Sequence, residues 1–471
     1  MSDAMDGAAT GAHSCVINPR LKDAQEVARD LPGGKYGRMF PGLPACQVDV
    51  ESAAGLGLSA SRMDATLPVV DAALENPRIP AGFAVLGQFV AHDISADRSL
   101  LAQRAAPEDL RNSRAPRLDL ECVYGDGPLG NPFFYDKDDP DKLLLGADVA
   151  GEPADDLPRN QQGTALVGDP RNDVHLLISQ LHVAFLKFHN RVVERLRAAG
   201  TPDGEVFDES RRLVRWHYEW VVVHEFLPLT VGEDLFADLE ANGRKYYEPG
   251  ESPAIPVEFS DAAYRFGHSQ ITPTYRLNDA SGDATIFPDC LGGRSVPAGR
   301  VIDWSWFFDV PGSGHAPQPS RRLVASLTHA LIDLPDQIVG HTEIPAHHSL
   351  ASRDLQRGAA LGLPSGEAVA RMMGVEPLTP DECGLGAGWT AETPIWYYVF
   401  KEAEVRAAGE HLGPVGGRIV AEVLLGLLDA DPGAYRNAEP GWRPKMPSSR
   451  PGHFTMADLV VPAGGAGEAS G

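Results

Sequence analysis

Long stretches of helical hydrophobic spacing alternate along the chain with stretches that have no period at all. The clearest helix carries Leu177, Leu181, Phe185, Phe188, Val192 and Leu196 at steps of three and four, with Gly200 placed to end it. An earlier one starts near Pro80, a residue suited to a first helical turn, and runs through Phe83, Leu86 and Phe89 towards His92. A third spans about Arg211 to Phe226 and stops at Pro228. Ser260 stands as the N-cap of a helix that reaches His268. Helical spacing returns at 321–333 and 351–373, and then in a strong pair at 394–408 and 414–429. Period-two alternation is rare and no internal repeat is present, so the pattern predicts a mainly α fold.

Two irregular stretches separate these helices. Residues 95–156 are rich in Pro, Gly, Asp and Arg and read as a long surface excursion; 280–320 reads as a loop whose Trp304 and Trp306 pack the core or wall a channel. The expected organisation is an N-terminal arm over 1–40, one large helical domain with long irregular loops over 41–435, and a C-terminal loop and flexible tail over 436–471.

Composition adds limits. Hydrophobic residues make up 43% and charged residues 23% of 471, ordinary for a globular chain, while 49 Gly and 39 Pro agree with abundant loops. With 41 Lys and Arg against 65 Asp and Glu, the formal net charge is -24, which argues against nucleic acid and anionic membranes as partners. Cys15, Cys46, Cys122, Cys290 and Cys383 show no CxxC pair and read as free thiols. No apolar run is long enough for a bilayer, no basic n-region leads into an apolar stretch, and the expected location is cytoplasmic.

Four segments carry candidate chemistry. Gln88 and His92, four apart, put an amide and an imidazole on one helical face. Gly168-Asp-Pro-Arg171 sets Arg171 at a helix entrance, where its side chain can turn inward. Arg265 and His268, three apart, pair a cation with an imidazole, an arrangement suited to an anionic cofactor. His224 and Glu225 do not form a zinc HExxH motif, because Phe226-Leu-Pro follows.

Taken together, Gly87-Gln-Phe-Val-Ala-His-Asp93, Gly168-Asp-Pro-Arg171 leading into Leu181-His-Val-Ala-Phe-Leu-Lys-Phe-His-Asn-Arg191, Tyr264-Arg-Phe-Gly-His-Ser269, and Asp354-Leu-Gln-Arg357 before Gly362-Leu-Pro364 resemble the animal-type haem peroxidases of the peroxidase-cyclooxygenase superfamily, in their bacterial branch. The segments occur in the family's order, and the resemblance covers roughly residues 75 to 435. It implies that His268 is the axial ligand of haem iron, that His92 is the distal acid and base, that Arg171 stabilises developing charge, and that Gln88 orients water or a small anion. It also implies that Arg265 and Arg357 lie near the haem propionates. Asp354 falls where the family has an asparagine that accepts from the axial imidazole, so a carboxylate there would lower the ferric/ferrous potential; were Asp354 a surface residue, Ser349 or a carbonyl would take its place.

Further departures matter. The two carboxylates that esterify haem in mammalian relatives are here Ala91 and Val174, which implies non-covalent haem b unless Asp173 substitutes. The family's calcium site is matched by Asp93 and Asp119, with Glu121 and Ala115 at positions where hydroxyl ligands are usual; without calcium, Asp93 would cap the helix end. The radical tyrosine of the fatty-acid-oxygenating branch is replaced by Arg265, with Tyr264 one place earlier. The expected activity is reduction of hydrogen peroxide with oxidation of a small organic donor or halide. The alternatives are a haem dioxygenase or specialised oxidase of secondary metabolism, and a non-catalytic helical binding scaffold.

Overall fold

The structure, a computed structural model, describes residues 35–65, 72–96, 110, 112–149, 155–250 and 252–461. The N-terminal arm up to residue 34 with Cys15, the stretch 97–109 of the first excursion, and the glycine-rich end lie outside the described residues.

The fold is mainly α. Helices α1 (Gly82–Ile94), α2 (Leu176–Ala198), α3 (Val206–Val221), α4 (Leu350–Ala360), α5 (Ile395–Ala407) and α6 (Pro414–Ala430) pack around one hydrophobic cluster that runs from Tyr36 to Val460. Among the described residues the strands form three two-stranded ribbons. These are β1 (Lys35–Gly37) parallel to β3 (Ala254–Pro256), β2 (Glu75–Pro80) antiparallel to β6 (Pro319–Arg321), and β4 (Thr274–Arg276) antiparallel to β5 (Asp283–Thr285).

The apolar stripe of α2 is buried along its length, and Gly200, at φ +82, ends it as its spacing predicts. Helix α6 begins on a buried carboxylate: Glu402 of α5 accepts from the backbone of Val415 at 2.9 Å and of Gly416 at 3.2 Å, which satisfies first-turn donors.

Several predicted boundaries move. Pro80 ends β2 rather than opening a helix, and α1 starts at Gly82, where only glycine fits, since a Cβ there would stand 2.4 Å from the Phe308 ring and 2.6 Å from the Phe307 carbonyl. Helix α3 does not stop at Pro228. It widens into a π turn over Val222–Phe226 and continues as a helix over Leu227–Val231. The wider turn relieves the clash of a proline ring with the carbonyl four residues back. Ser260 closes a short helix, Val257–Ser260, rather than capping one, and the segment that follows, Ala263–Gln270, is a 3-10 helix.

The helix expected at 321–333 is reduced to His329–Ile332, because Arg322 and Leu323 donate to the carbonyls of Leu74 and Gly409 and are not free for helical bonds. The stretch 351–373 is broken at Gly362, at φ +58, into α4 and Gly366–Met372. The C-terminal part does not thin out: Trp442 and Phe454 belong to the core, and Met456–Val460 is a helix packed on α2.

Candidate active site

One cleft, enclosing about 1240 Å³ with its mouth, is lined by Gln88, His92, Arg171, Arg265 and His268 together. Helix α1, the turn 168–173 and the start of α2 form one wall. The 3-10 helix 263–270, tied to α4 through Asp354, forms another.

On the first wall, His92 is buried and its Nδ1 lies 2.7 Å from Asn172 Oδ1, while Asn172 Nδ2 lies 3.0 Å from His182 Nδ1. With a carbonyl oxygen as its partner, Nδ1 carries the proton and Nε2 keeps its lone pair. Burial, with help from the Arg171 charge, pushes His92 down to about 3, so the ring is neutral at ordinary pH and available as a base.

Arg171 lies beside it in a fixed pose. Its Nε donates to Asp169 Oδ1 at 3.0 Å, and its Nη2 donates to Asp169 Oδ2 at 2.8 Å and to the carbonyls of His92 at 3.1 Å and Ser95 at 2.5 Å. Burial alone would raise the Asp169 carboxyl, but Arg171 and Arg114 hold it well below the carboxylate range. Gln88 accepts through Oε1 from His175 Nε2 at 2.7 Å, and His175, the N-cap of α2, also lines the cleft.

On the second wall, His268 Nδ1 lies 2.9 Å from Asp354 Oδ2. Asp354 is completely buried, so neither Ser349 nor a carbonyl is needed in its place; Ser349 instead caps α4 and donates to the Gly57 carbonyl. Arg265 Nη1 donates to Asp354 at 2.8 Å, and Arg357 Nη1 lies 3.5 Å from the same oxygen. Burial would raise Asp354, yet Arg265, His268 and Arg357 hold it far below the carboxylate range. Its charge is thus shared among three cationic or donor groups rather than given wholly to the imidazole. Arg265 lines the cleft, whereas Arg357 stands behind it against Asp354. Both cations expected at the propionates are therefore engaged with a buried carboxylate.

The second pair of predicted metal ligands sits at the far end of α1. Asp93 is fully buried; its Oδ2 accepts from Leu120 N at 3.0 Å and its Oδ1 has no hydrogen-bond partner. Burial, then repulsion from Asp119, pushes Asp93 up to about 8, and Asp119 is raised as well. Asp93 fastens the 112–125 loop to α1 rather than capping the helix. Glu121 is turned to Arg114 at 2.8 Å, and no group of three or more His, Cys, Asp or Glu arranged for a metal ion occurs among the described residues.

Ala91 and Val174 both line the cleft and offer no carboxylate. Asp173 does not substitute, because Arg159 holds both of its oxygens at 2.7 Å. Tyr264 lines the cleft too, its hydroxyl buried and without a partner.

Asn172, His175, His182 and Asp169 were not singled out by sequence reasoning. The available signals were slight: Asp169 and Asn172 flank Arg171 within the motif, and His175 and His182 are seven apart, on one face of α2.

Comparison with known proteins adds three findings. The profile of the animal haem peroxidase family matches residues 134–380. Chorion peroxidase of Aedes aegypti is 24% identical over 305 residues, 62% of this chain and 37% of that protein; thyroid peroxidase of Sus scrofa is 26% identical over 381 residues, 71% of this chain and 40% of that protein. The chain thus spans about two fifths of the length of these relatives. Among solved structures, peroxidase A from Dictyostelium discoideum superposes with a TM-score of 0.62 over 86% of this chain and 89% of that one, at 14% identity. A fatty acid alpha-dioxygenase from Arabidopsis thaliana gives 0.60 over 85% and 72%, also at 14% identity. At such identities the structural likeness is one of fold.

Proposed function

The chain belongs to the animal haem peroxidase family, and from that premise we propose that it is a haem-dependent peroxidase, reducing hydrogen peroxide while oxidising a small organic donor or halide. The observation that carries the reading is that two imidazoles, His92 and His268, line one cleft on different elements, with Arg171 in the same lining. Haem, when bound, would supply the redox-active iron that reacts with peroxide.

The residues divide the remaining work. His268 would supply a nitrogen to the iron, and Asp354, at ion-pair distance of 2.9 Å from its Nδ1, places a carboxylate beside that ring. His92 Nε2 is the base that can take one proton from hydrogen peroxide and return it to the oxygen that departs as water, while haem, when bound, would supply the two electrons and take up the other oxygen. Arg171, held by Asp169, places a permanent positive charge where negative charge develops. Gln88 orients the small ligand between them. Arg265 and Arg357 are the cations nearest to hand for the propionates, and the haem b is non-covalent, since Ala91, Val174 and the Arg159-bound Asp173 leave no carboxylate for an ester.

For calcium, the unpartnered Asp93 Oδ1 and the raised carboxyl of Asp119 are the kind of hard, mutually repelling oxygens a divalent cation would relieve, with loop carbonyls completing its shell. Cys46, Cys122, Cys290 and Cys383 are free, three of them buried, which suits the reducing conditions of the cytoplasm. No helix among the described residues is long and apolar enough to cross a membrane.

The test is the absorption spectrum of haem-loaded protein before and after one equivalent of peroxide. Wild type should change within seconds and His92→Ala should lag; equal, slow responses would remove the catalytic assignment, and no Soret band after loading would leave a scaffold. Extraction of haem by acidified organic solvent is expected to be complete. A second reading, oxygenation of an organic substrate, is favoured by one observation, the unpartnered Tyr264 hydroxyl in the cleft. Labelled dioxygen appearing in the product would decide for it.

A further inference from the structure

The polarity of the Gln88 amide is settled by a backbone group it does not touch. The N–H of Ile178, which can only donate, lies 3.2 Å from His175 Nδ1. That nitrogen must therefore be bare. His175 is half-buried, and its desolvation pushes it down to about 4, so its ring is neutral and carries its single proton on Nε2. Nε2 is 2.7 Å from the Gln88 side chain, and a donor there requires an acceptor opposite: the Gln88 oxygen. The oxygen is used, which leaves the amide nitrogen as the end with hydrogens still to give.

We propose that His175 is a positioning residue that holds Gln88 with its amide N–H donors available to the cleft, so that the distal wall binds small hydrogen-bond acceptors, anions above all. Four residues along α1, His92 Nε2 presents the opposite polarity, a bare lone pair. The wall thus offers one donor and one acceptor side by side. Hydrogen peroxide matches both; once its proton has passed to His92, the remaining anion keeps the Gln88 donor. A freely turning amide would spend part of its time presenting oxygen, which repels that anion. The requirement on residue type is narrow, since the side chain must accept a helix N–H with one atom and donate across to α1 with another. Its role as anion selector rests on the peroxidase reading of the same cleft.

Two measurements test this. Fluoride, which only accepts hydrogen bonds, is titrated into haem-loaded protein and followed in the Soret region. His175→Phe is expected to weaken fluoride binding roughly tenfold or more, the worth of one hydrogen bond to an anion. His175→Asn, which can still cap α2 and donate, should recover most of the loss. Separately, the full chain without haem, labelled with nitrogen-15 at histidine, should show the His175 ring protonated at Nε2, its signal identified by its loss in the phenylalanine variant. Unchanged fluoride affinity in His175→Phe, or a ring protonated at Nδ1, overturns the proposal. A wild type that takes up no haem sinks the peroxidase reading instead, and the nitrogen-15 spectrum still decides the orientation of the amide.

Discussion

The imidazole of His92 is a base only while its proton sits on Nδ1, and Asn172 Oδ1, 2.7 Å away, is what keeps it there. Replacing Asn172 by valine leaves the ring free to carry its proton on either nitrogen. The bimolecular rate of the reaction with peroxide should fall on the order of tenfold to hundredfold, read by stopped-flow absorbance. Asn172→Asp accepts the same proton more strongly. It should therefore raise the pH at which the reaction begins to slow on acidification, relative to wild type; a valine variant as fast as wild type would show that the relay does not set the tautomer. Asp169 is a second such point. It holds Arg171 and Arg114 at once, and Asp169→Asn leaves two buried guanidinium groups short of charge, a loss of about 3–5 kcal/mol in urea unfolding. Gln88, His92, Arg171 and His268 were legible because each lies within a short ordered motif. Asn172 and His175 were not, because spacing tells which face a side chain shares but not which group from another element meets it.

At the scale of elements, the site depends on how α1 is seated. Its first residue lies under Phe307 and Phe308 and donates to the Phe307 carbonyl at 3.0 Å, and the neighbouring Ala81 donates to Gln318 at 2.9 Å. Gly82→Ala would set a methyl 2.4 Å from the Phe308 ring, and the helix must shift along or away from that wall. The expected cost is about 1–3 kcal/mol in denaturant unfolding, with a slower peroxide reaction because Gln88 and His92 ride on the same helix. A variant of wild-type stability and rate would show that the Phe307–Phe308 segment yields freely. The period-based reading found α2, α5 and α6 because each buries a continuous stripe. It misplaced 321–333 and the boundaries at Pro80 and Ser260, where long-range backbone bonds or a 3-10 turn decide the conformation. The wide turn at 222–226 has no hydrophobic signature of its own; it keeps a helical stripe in register while letting Pro228 pass.

For the molecule as a whole, the formal charge of -24 coexists with an interior that excludes protonated histidine. Burial holds His92 and His182 down to about 3, and His175, His189 and His217 down to about 4. An unfolded chain takes up a proton at each near 6.5, so between that value and the depressed one the unfolded state binds more protons, and stability falls as pH is lowered. Buried Glu219, Glu225 and Glu402, raised to about 8, 7 and 7, act in the opposite sense: the native state keeps their protons while the unfolded chain releases them. That opposition operates only above their unfolded value of about 4.3. Stability should therefore change little from pH 7 to 5. Below about pH 4.5 that opposition fades, while three of the rings, at about 4, begin to take protons in the native state too, so the net difference is about two protons, roughly 3 kcal/mol per pH unit, against a total stability of roughly 5–15 kcal/mol. Unfolding is expected to be cooperative, centred near pH 4 and accompanied by net uptake of about two protons, as followed by circular dichroism and potentiometric titration. Histidine rings that titrate near 6.5 in the native state, read by NMR, would mean that they are protonated in place, with water or relaxed packing around them, and the neutral base at His92 would then lose its main physical support.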